Sequence, residues 1–130
     1  MTKTDLYKEQ ITKAINAFSQ KKFSEAEEVC LKILSVNNNP DANHILGCIR
    51  MSEGKYDESI SYINNSLSVN PDDIGTLISL GCALSSKKDY EQSIIIFKKI
   101  ISLKNDISQV HFYLGESFRQ VQKFDSALAS

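Results

Sequence analysis

The chain is short of several things, and each shortage removes a class of function. No apolar stretch approaches the length that crosses a bilayer; the longest lies within "SIIIF", against the roughly 20 residues that a membrane helix needs. The N-terminus, "MTKTDLYKEQITKAINAF", is polar and lacks the apolar core of a secretory signal. Only three cysteines occur (Cys30, Cys48, Cys82), with no CxxC, so a disulfide framework is not expected. At 130 residues the chain can fold without one, since it can bury about 65–70% of its unfolded surface. Charge of one sign is missing too: the net charge is −1. The paired lysines Lys21-Lys22, Lys87-Lys88 and Lys98-Lys99 are diluted by Glu25, Asp89 and Glu91. No broad positive field results, so nucleic acid is not an expected partner. Neither GxxxxGK[ST] nor GxGxxG is present, so no phosphate cradle is expected. The expected compartment is the cytoplasm, and "NNS" at 64–66 falls in a helical stretch with no export signal, so it is not read as a glycosylation site.

What is present is a repeat. Phe23, Tyr56, Tyr90 and Phe124 stand 33, 34 and 34 residues apart. Each follows a polar pair of turn character ("KK", "GK", "KD", "QK") and precedes a small residue: Ala26, Ser59, Ser93, Ala127. A second ladder, Leu46-Gly47, Leu80-Gly81 and Leu114-Gly115, repeats every 34 residues. Leu77, Leu80, Gly81 and Leu84 then lie on one helix face, and Tyr90, Ile94, Phe97 and Ile101 mark a second. Glycine inside a helix costs on the order of 1 kcal/mol against alanine. Its recurrence in one phase predicts a crossing too close for a β-carbon, with Ser59, Ser93 and Ala127 as the partners opposite. Pro40 and Pro71 cannot continue a preceding helix. Asp72 or Asp73 is placed to cap the next one, and "KNDIS" near Asn105 does the same without proline.

This pattern resembles the tetratricopeptide repeat, a helix-turn-helix unit of about 34 residues. The match runs through Leu46, Gly47, Tyr56, Ser59, Leu67 and Pro71, then Leu80, Gly81, Tyr90, Ser93 and Ile101, then Leu114, Gly115, Phe124 and Ala127. The first repeat is weaker, with Ala14, Ala17, Phe23, Ala26 and Leu34 but Lys13 in place of a leucine. The departures are the missing tryptophan and serines where alanine is usual. The resemblance implies an all-α fold, a right-handed superhelical stack of antiparallel helix pairs. The expected organisation is a single array with repeats at about 6–39, 40–73, 74–107 and a truncated 108–130. The expected helices are 5–20 with 24–36, 41–53 with 57–69, 73–86 with 91–103, and 107–121 with a stub from 125. Phe118, Phe124 and Leu128 would then lack a cover. That points to a piece of a longer protein or to self-association through that end.

The resemblance also implies a concave groove lined by the first helix of each repeat. The residues carried onto it are His44, Cys48, Ser52, Ile78, Cys82, Ser85, Phe112, Glu116 and Arg119. Such a mixed wall suits a peptide or partner domain. Family members that clamp a chaperone's C-terminal carboxylate use lysine and asparagine where this chain has Ile11, Ile15, His44, Cys48, Ile78 and Cys82. The asparagine ladder of sugar transferases would need Asn at Ile45, Ser79 and Tyr113. Neither subtype is implied. The opening segment is also similar to repeats that precede a sulfotransferase or glycosyltransferase domain in bacterial multidomain proteins.

Chemistry is weakly signalled. His44 and Cys48 share a helix face and Cys82 lies one repeat on, but zinc needs four close ligands, so the cysteines are read as small wall residues. Cys30 occupies a core slot. His111 has Glu116 nearby and no matched nucleophile, and Glu25, Glu27 and Glu28 suit a helix start. The expectation is a non-catalytic interaction scaffold with no metal and no cofactor. The alternative is a regulatory or substrate-positioning segment of a larger transferase.

Overall fold

A computed structural model describes residues 2–129, with the Ala129 side chain left aside. The described residues form helices α1 (Lys3–Ser19), α2 (Phe23–Leu34), α3 (Pro40–Ser52), α4 (Tyr56–Val69), α5 (Ile74–Ser86), α6 (Tyr90–Leu103) and α7 (Ser108–Ala129), with no strand among them. The chain divides into two compact units, residues 1–71 and 72–130.

Local chemistry explains where the helices start. The Thr2 hydroxyl accepts from the Asp5 amide while the Asp5 carboxylate accepts from Thr2, a reciprocal cap on α1. Asn39 caps α3 by accepting from the Ala42 amide at 3.0 Å, and Pro40, having no N–H to lose, takes the first helical position. Of the two candidate aspartates before α5, Asp73 is the cap, accepting from the Thr76 amide at 3.0 Å. Asp89 caps α6 through the Gln92 amide.

Three helices stop in one way. Lys21, Gly54 and Lys88 take left-handed φ values of 60°, 77° and 73°. The next amide reaches back five residues: Lys22 to the Ala17 carbonyl, Lys55 to Arg50, Asp89 to Leu84, at 2.8–2.9 Å. This closure satisfies carbonyls that the helix end leaves free and turns the chain sharply into its partner helix. Glycine supplies the conformation without penalty at Gly54, whereas lysine bears a cost of about 1 kcal/mol at each of the other two.

In the first unit, α1 packs on α2, α3 on α4, and α2 and α1 on α3. Ile11, Ala14, Ala17, Ala26, Cys30, Ile33, Ala42, Leu46 and Ile49 make one buried core. The α3–α4 crossing is as close as the glycine ladder predicts. A β-carbon on Gly47 would lie 2.6 Å from Ile63 Cγ1 and 3.2 Å from the Ser59 carbonyl. The Ser59 hydroxyl donates to the Gly47 carbonyl at 2.7 Å, so the small residue opposite also satisfies buried backbone. Ser66 donates to the Pro40 carbonyl at the other end of the pair. The Arg50 side chain, only 14% exposed, ion-pairs with Glu27 of α2 and with Glu53 at the end of its own helix.

In the second unit α6 packs on α5 and on α7, burying Leu77, Leu80, Ala83, Leu84, Phe97, Ile100 and Val110. A β-carbon on Gly81 would lie 2.4 Å from the Phe97 ring. The partner is therefore Phe97, not the expected Ser93. Ser93 is buried and turns its hydroxyl to the Tyr90 carbonyl and to Ser117.

The fourth repeat departs furthest from expectation. Instead of a helix to 121, a turn and a stub, α7 runs unbroken from Ser108 to Ala129. The residue in the turn slot is Gln122, 34 positions after Lys88, and it stays helical. Nothing lies within 4 Å of a β-carbon built on Gly115, so this glycine is not pressed against a helix as the ladder predicts. A left-handed glutamine would cost about as much as the lysines do, and no closed hairpin is present to offset it. Phe118, Phe124 and Leu128 are accordingly exposed.

Candidate partner-binding surface

The expected groove residues fall into two groups, one in each unit. On α3, His44 and Cys48 are one turn apart and half-buried. They line a shallow depression of about 260 Å³ with Ile45 and Asp41 and with Ile15 and Phe18 of α1. Ser52, further along α3, lies outside it and is exposed; its hydroxyl donates to the Ile49 carbonyl. Phe18 was missing from the sequence-based set, and Ile15 stood in it only as an inner slot of the carboxylate-clamp comparison. The usable signal is the inner slot of Ile15, in the repeat where Lys13 blurs the register; the structure leaves it 48% exposed.

In the second unit, Cys82 and Ser85 of α5, Tyr90 and Phe97 of α6, and Tyr113, Glu116, Ser117 and Gln120 of α7 surround a cleft of about 330 Å³. Three expected residues meet here: Cys82, Ser85 and Glu116. Ile78 is half-buried outside the cleft. Phe112 is 63% exposed, its ring tilted against Tyr113 at 6.1 Å. Arg119 is exposed and ion-paired with Glu116.

The cleft wall has a definite hydrogen-bond polarity. The Ser93 hydroxyl spends its proton on the Tyr90 carbonyl at 2.8 Å. The 3.0 Å contact between Ser93 and Ser117 therefore has Ser117 as donor. The looser 3.4 Å contact then has Ser85 donating to Ser117. Each hydroxyl has one proton to give, so the chain ends at Ser85 with an oxygen whose lone pairs accept. With the Glu116 carboxylate beside it, the rim offers acceptors. Below it the half-buried Tyr113 ring forms an aromatic floor, backed at 5.5 Å by the fully buried Phe97.

The remaining reactive groups lead elsewhere. Cys30 is fully buried, and burial, aided by the Glu27 charge, pushes its thiol up from 9.0 to about 12. The thiolate that would react or bind metal is thereby suppressed. His111 is exposed, and its Nε2–H donates to the Asn105 carbonyl at 2.8 Å. The hydrogen bond from Glu27, then that from Glu53, raises the Arg50 pKa further, although burial opposes it. Among the described residues no three His, Cys, Asp or Glu side chains are grouped to hold a metal ion, and no helix is long and apolar enough to cross a membrane.

Comparison with known proteins places this arrangement. A TPR repeat-containing protein of Methanocaldococcus jannaschii is 28% identical over 97 residues; the match covers 75% of this chain but 17% of that protein. The first TPR of Spaghetti (RPAP3), solved with an HSP90 peptide, superposes with a TM-score of 0.75 at 19% identity, covering 93% of this chain and 94% of that one. An O-GlcNAc transferase of Thermobaculum terrenum gives 0.81 at 22% identity, covering 90% of this chain and 23% of that one. These likenesses show an all-α solenoid fold of paired helices. The tetratricopeptide repeat model itself matches residues 40–73 and 74–107, more than half of the sequence; the chain belongs to the tetratricopeptide repeat family.

Proposed function

We propose that this chain is a non-catalytic scaffold that holds an extended peptide segment of a partner protein, with the α5–α7 cleft as its main contact. The family fold generally mediates protein–protein interaction, and the peptide-bound Spaghetti structure is one instance among its neighbours. The observation that carries the reading is the cleft's chemistry: an aromatic floor below a rim of acceptors at Ser85 and Glu116. That combination fits a segment offering backbone or side-chain N–H groups and one apolar anchor. Ile78, Phe112 and Arg119 flank the cleft, and His44, Cys48 and Ser52 offer a second contact on α3. A cytoplasmic location and the absence of nucleic-acid contacts belong to the same proposal.

Panning a random twelve-residue peptide library on the immobilised protein tests it. Selected peptides should share an apolar anchor and N–H-rich side chains. Ser85→Arg, which fills the rim with a cation, should weaken them at least tenfold while leaving helicity intact. Equal binding to the variant would overturn the site assignment.

A second reading is that the array positions substrate for a larger transferase. It is favoured by the likeness to part of the Thermobaculum terrenum enzyme. A coding sequence that continues into a transferase domain would support it, and one without such a domain would remove it.

A further inference from the structure

One slot of the repeat changes its chemistry in α7. Cys48, Cys82 and Glu116 stand 34 residues apart, and only the third is a carboxylate. Glu116 is half-buried in the wall of the α5–α7 cleft. Among the described residues that line this cleft it is the one carboxylate, and no lysine, arginine or histidine stands with it. Its partner comes from outside the lining: Arg119, one turn further along α7, pairs with it. The Arg119 side chain is 61% exposed. An exposed pair of this kind contributes little, because water screens it and two long side chains must be held still. The Glu116 carboxylate therefore already accepts a guanidinium, in a contact that a second guanidinium can replace at little cost.

We propose, resting on the reading of this cleft as the peptide contact, that it selects an arginine side chain of the partner and that Arg119 is the internal competitor which that side chain displaces. Exchange at Glu116 is nearly even, one guanidinium for another. The incoming group gains what lies inside the cleft, where Arg119 is absent. The Ser85 oxygen, at the end of the hydroxyl chain, has lone pairs for a further N–H. Tyr113 supplies an aromatic surface, backed by Phe97, for a planar cation to lie against. Cys82 and Tyr90, also in the wall, suit the stem, since arginine buries its methylenes while its charged head stays on a polar rim. Lysine fits less well. Its ammonium is a compact point charge that neither stacks flat nor makes the paired bonds of a guanidinium to a carboxylate.

Titration of peptides selected from the random twelve-residue library tests this. Those whose binding is lost in Ser85→Arg are the ones held by the cleft, and they should share an arginine. Replacing that arginine with citrulline, which keeps the shape but not the charge, should weaken binding about tenfold, and lysine should not restore it. Glu116→Gln should weaken the same peptides by a similar factor. Arg119→Ala should tighten them about threefold, because the competitor is gone; a merely structural role for Arg119 would leave the affinity unchanged or lower it. The citrulline comparison uses the unaltered protein, so it holds whatever the variants do to folding. Cleft-held peptides without arginine, equal binding of the citrulline peptide, or no tightening in Arg119→Ala would overturn the arginine assignment and leave the cleft reading in place. Selected peptides that all bind Ser85→Arg equally well would overturn the cleft reading, and the arginine assignment with it.

Discussion

The α3–α4 hairpin and helix α7 have the same sequence pattern and different structures. Both contain Leu-Gly, a turn slot seven residues after the glycine, an aromatic, and a small residue twelve after the glycine. At Gly47 the chain turns at Gly54, and Ser59 and Ile63 close over the notch. At Gly115 the helix continues through Gln122 and the notch stays open. A repeat slot therefore states what a residue will do once its partner helix is present; it does not create the partner. Buried glycine, left-handed lysine and buried serine are each unfavourable alone. They are tolerated together because closing the hairpin offsets them.

That comparison makes opposite predictions for equivalent substitutions. The largest effect is expected at the closed notch. Gly81→Leu must displace the buried Phe97 ring, costing about 3 kcal/mol, seen as a lowered urea midpoint. At the open notch, Gly115→Ala should raise stability by about 0.5–1 kcal/mol, the gain from removing a helical glycine with no neighbour to disturb. A cost at both glycines would break the comparison.

Thiol chemistry reads the same contrast without denaturant. Cys30 shares the slot of Ile63 and Phe97, all fully buried, and its pKa stands near 12. At pH 8 it should label at least about 100-fold more slowly than a cysteine placed by Ala127→Cys, since only the thiolate reacts. The linkage sign follows from the raised value. Below pH 9 both folded and unfolded thiols are protonated, so the contribution of Cys30 is fully present. Between pH 9 and about 12 the unfolded thiol ionises first and that contribution is lost. Cys30→Ala should flatten the alkaline fall in melting temperature. Rapid labelling of native Cys30 would deny that α2 is closed down on its core.

The smallest pair of effects lies in the turns. Lys88→Gly relieves a left-handed lysine, with φ at 73°, and should stabilise by about 0.5 kcal/mol after the entropy of glycine is subtracted. Gln122→Gly occupies the matching slot in a continuous helix and should cost about 1 kcal/mol. Thermal unfolding of the two variants compares them directly, and equal signs would contradict the assignment of Gln122 to a helix interior.

Much of the fold was legible because it rests on local rules. Helical spacing located the first six helices to within two residues at each end. The caps at Asn39 and Asp73 follow from side chains that reach their own helix ends. Less legible were features set by another element. Phe97, not Ser93, fills the Gly81 crossing because the ring's reach depends on the tilt of α6. The serine hydroxyl chain needs Ser93 and Ser117 brought together across 24 residues. Arg50 meets Glu27 through packing of α2 on α3, and no spacing rule covers that. Of the expected groove, Cys82, Ser85 and Glu116 converge on one cleft, while the surface on α3 needed Ile15 and Phe18 from the least regular repeat. The unbroken α7 was hidden for the opposite reason, since its local pattern is that of a hairpin.

Amide hydrogen exchange on the dilute protein tests the central claim most directly. Amides at Ser59–Ile63 and Ser93–Phe97 should be protected to near the global stability of their units. Those at 124–128 should exchange at least about 100-fold faster, because no packed partner holds that end of α7. Uniform protection through 124–128 at low micromolar concentration would mean that this segment is already closed, and the contrast between the two regions would fall.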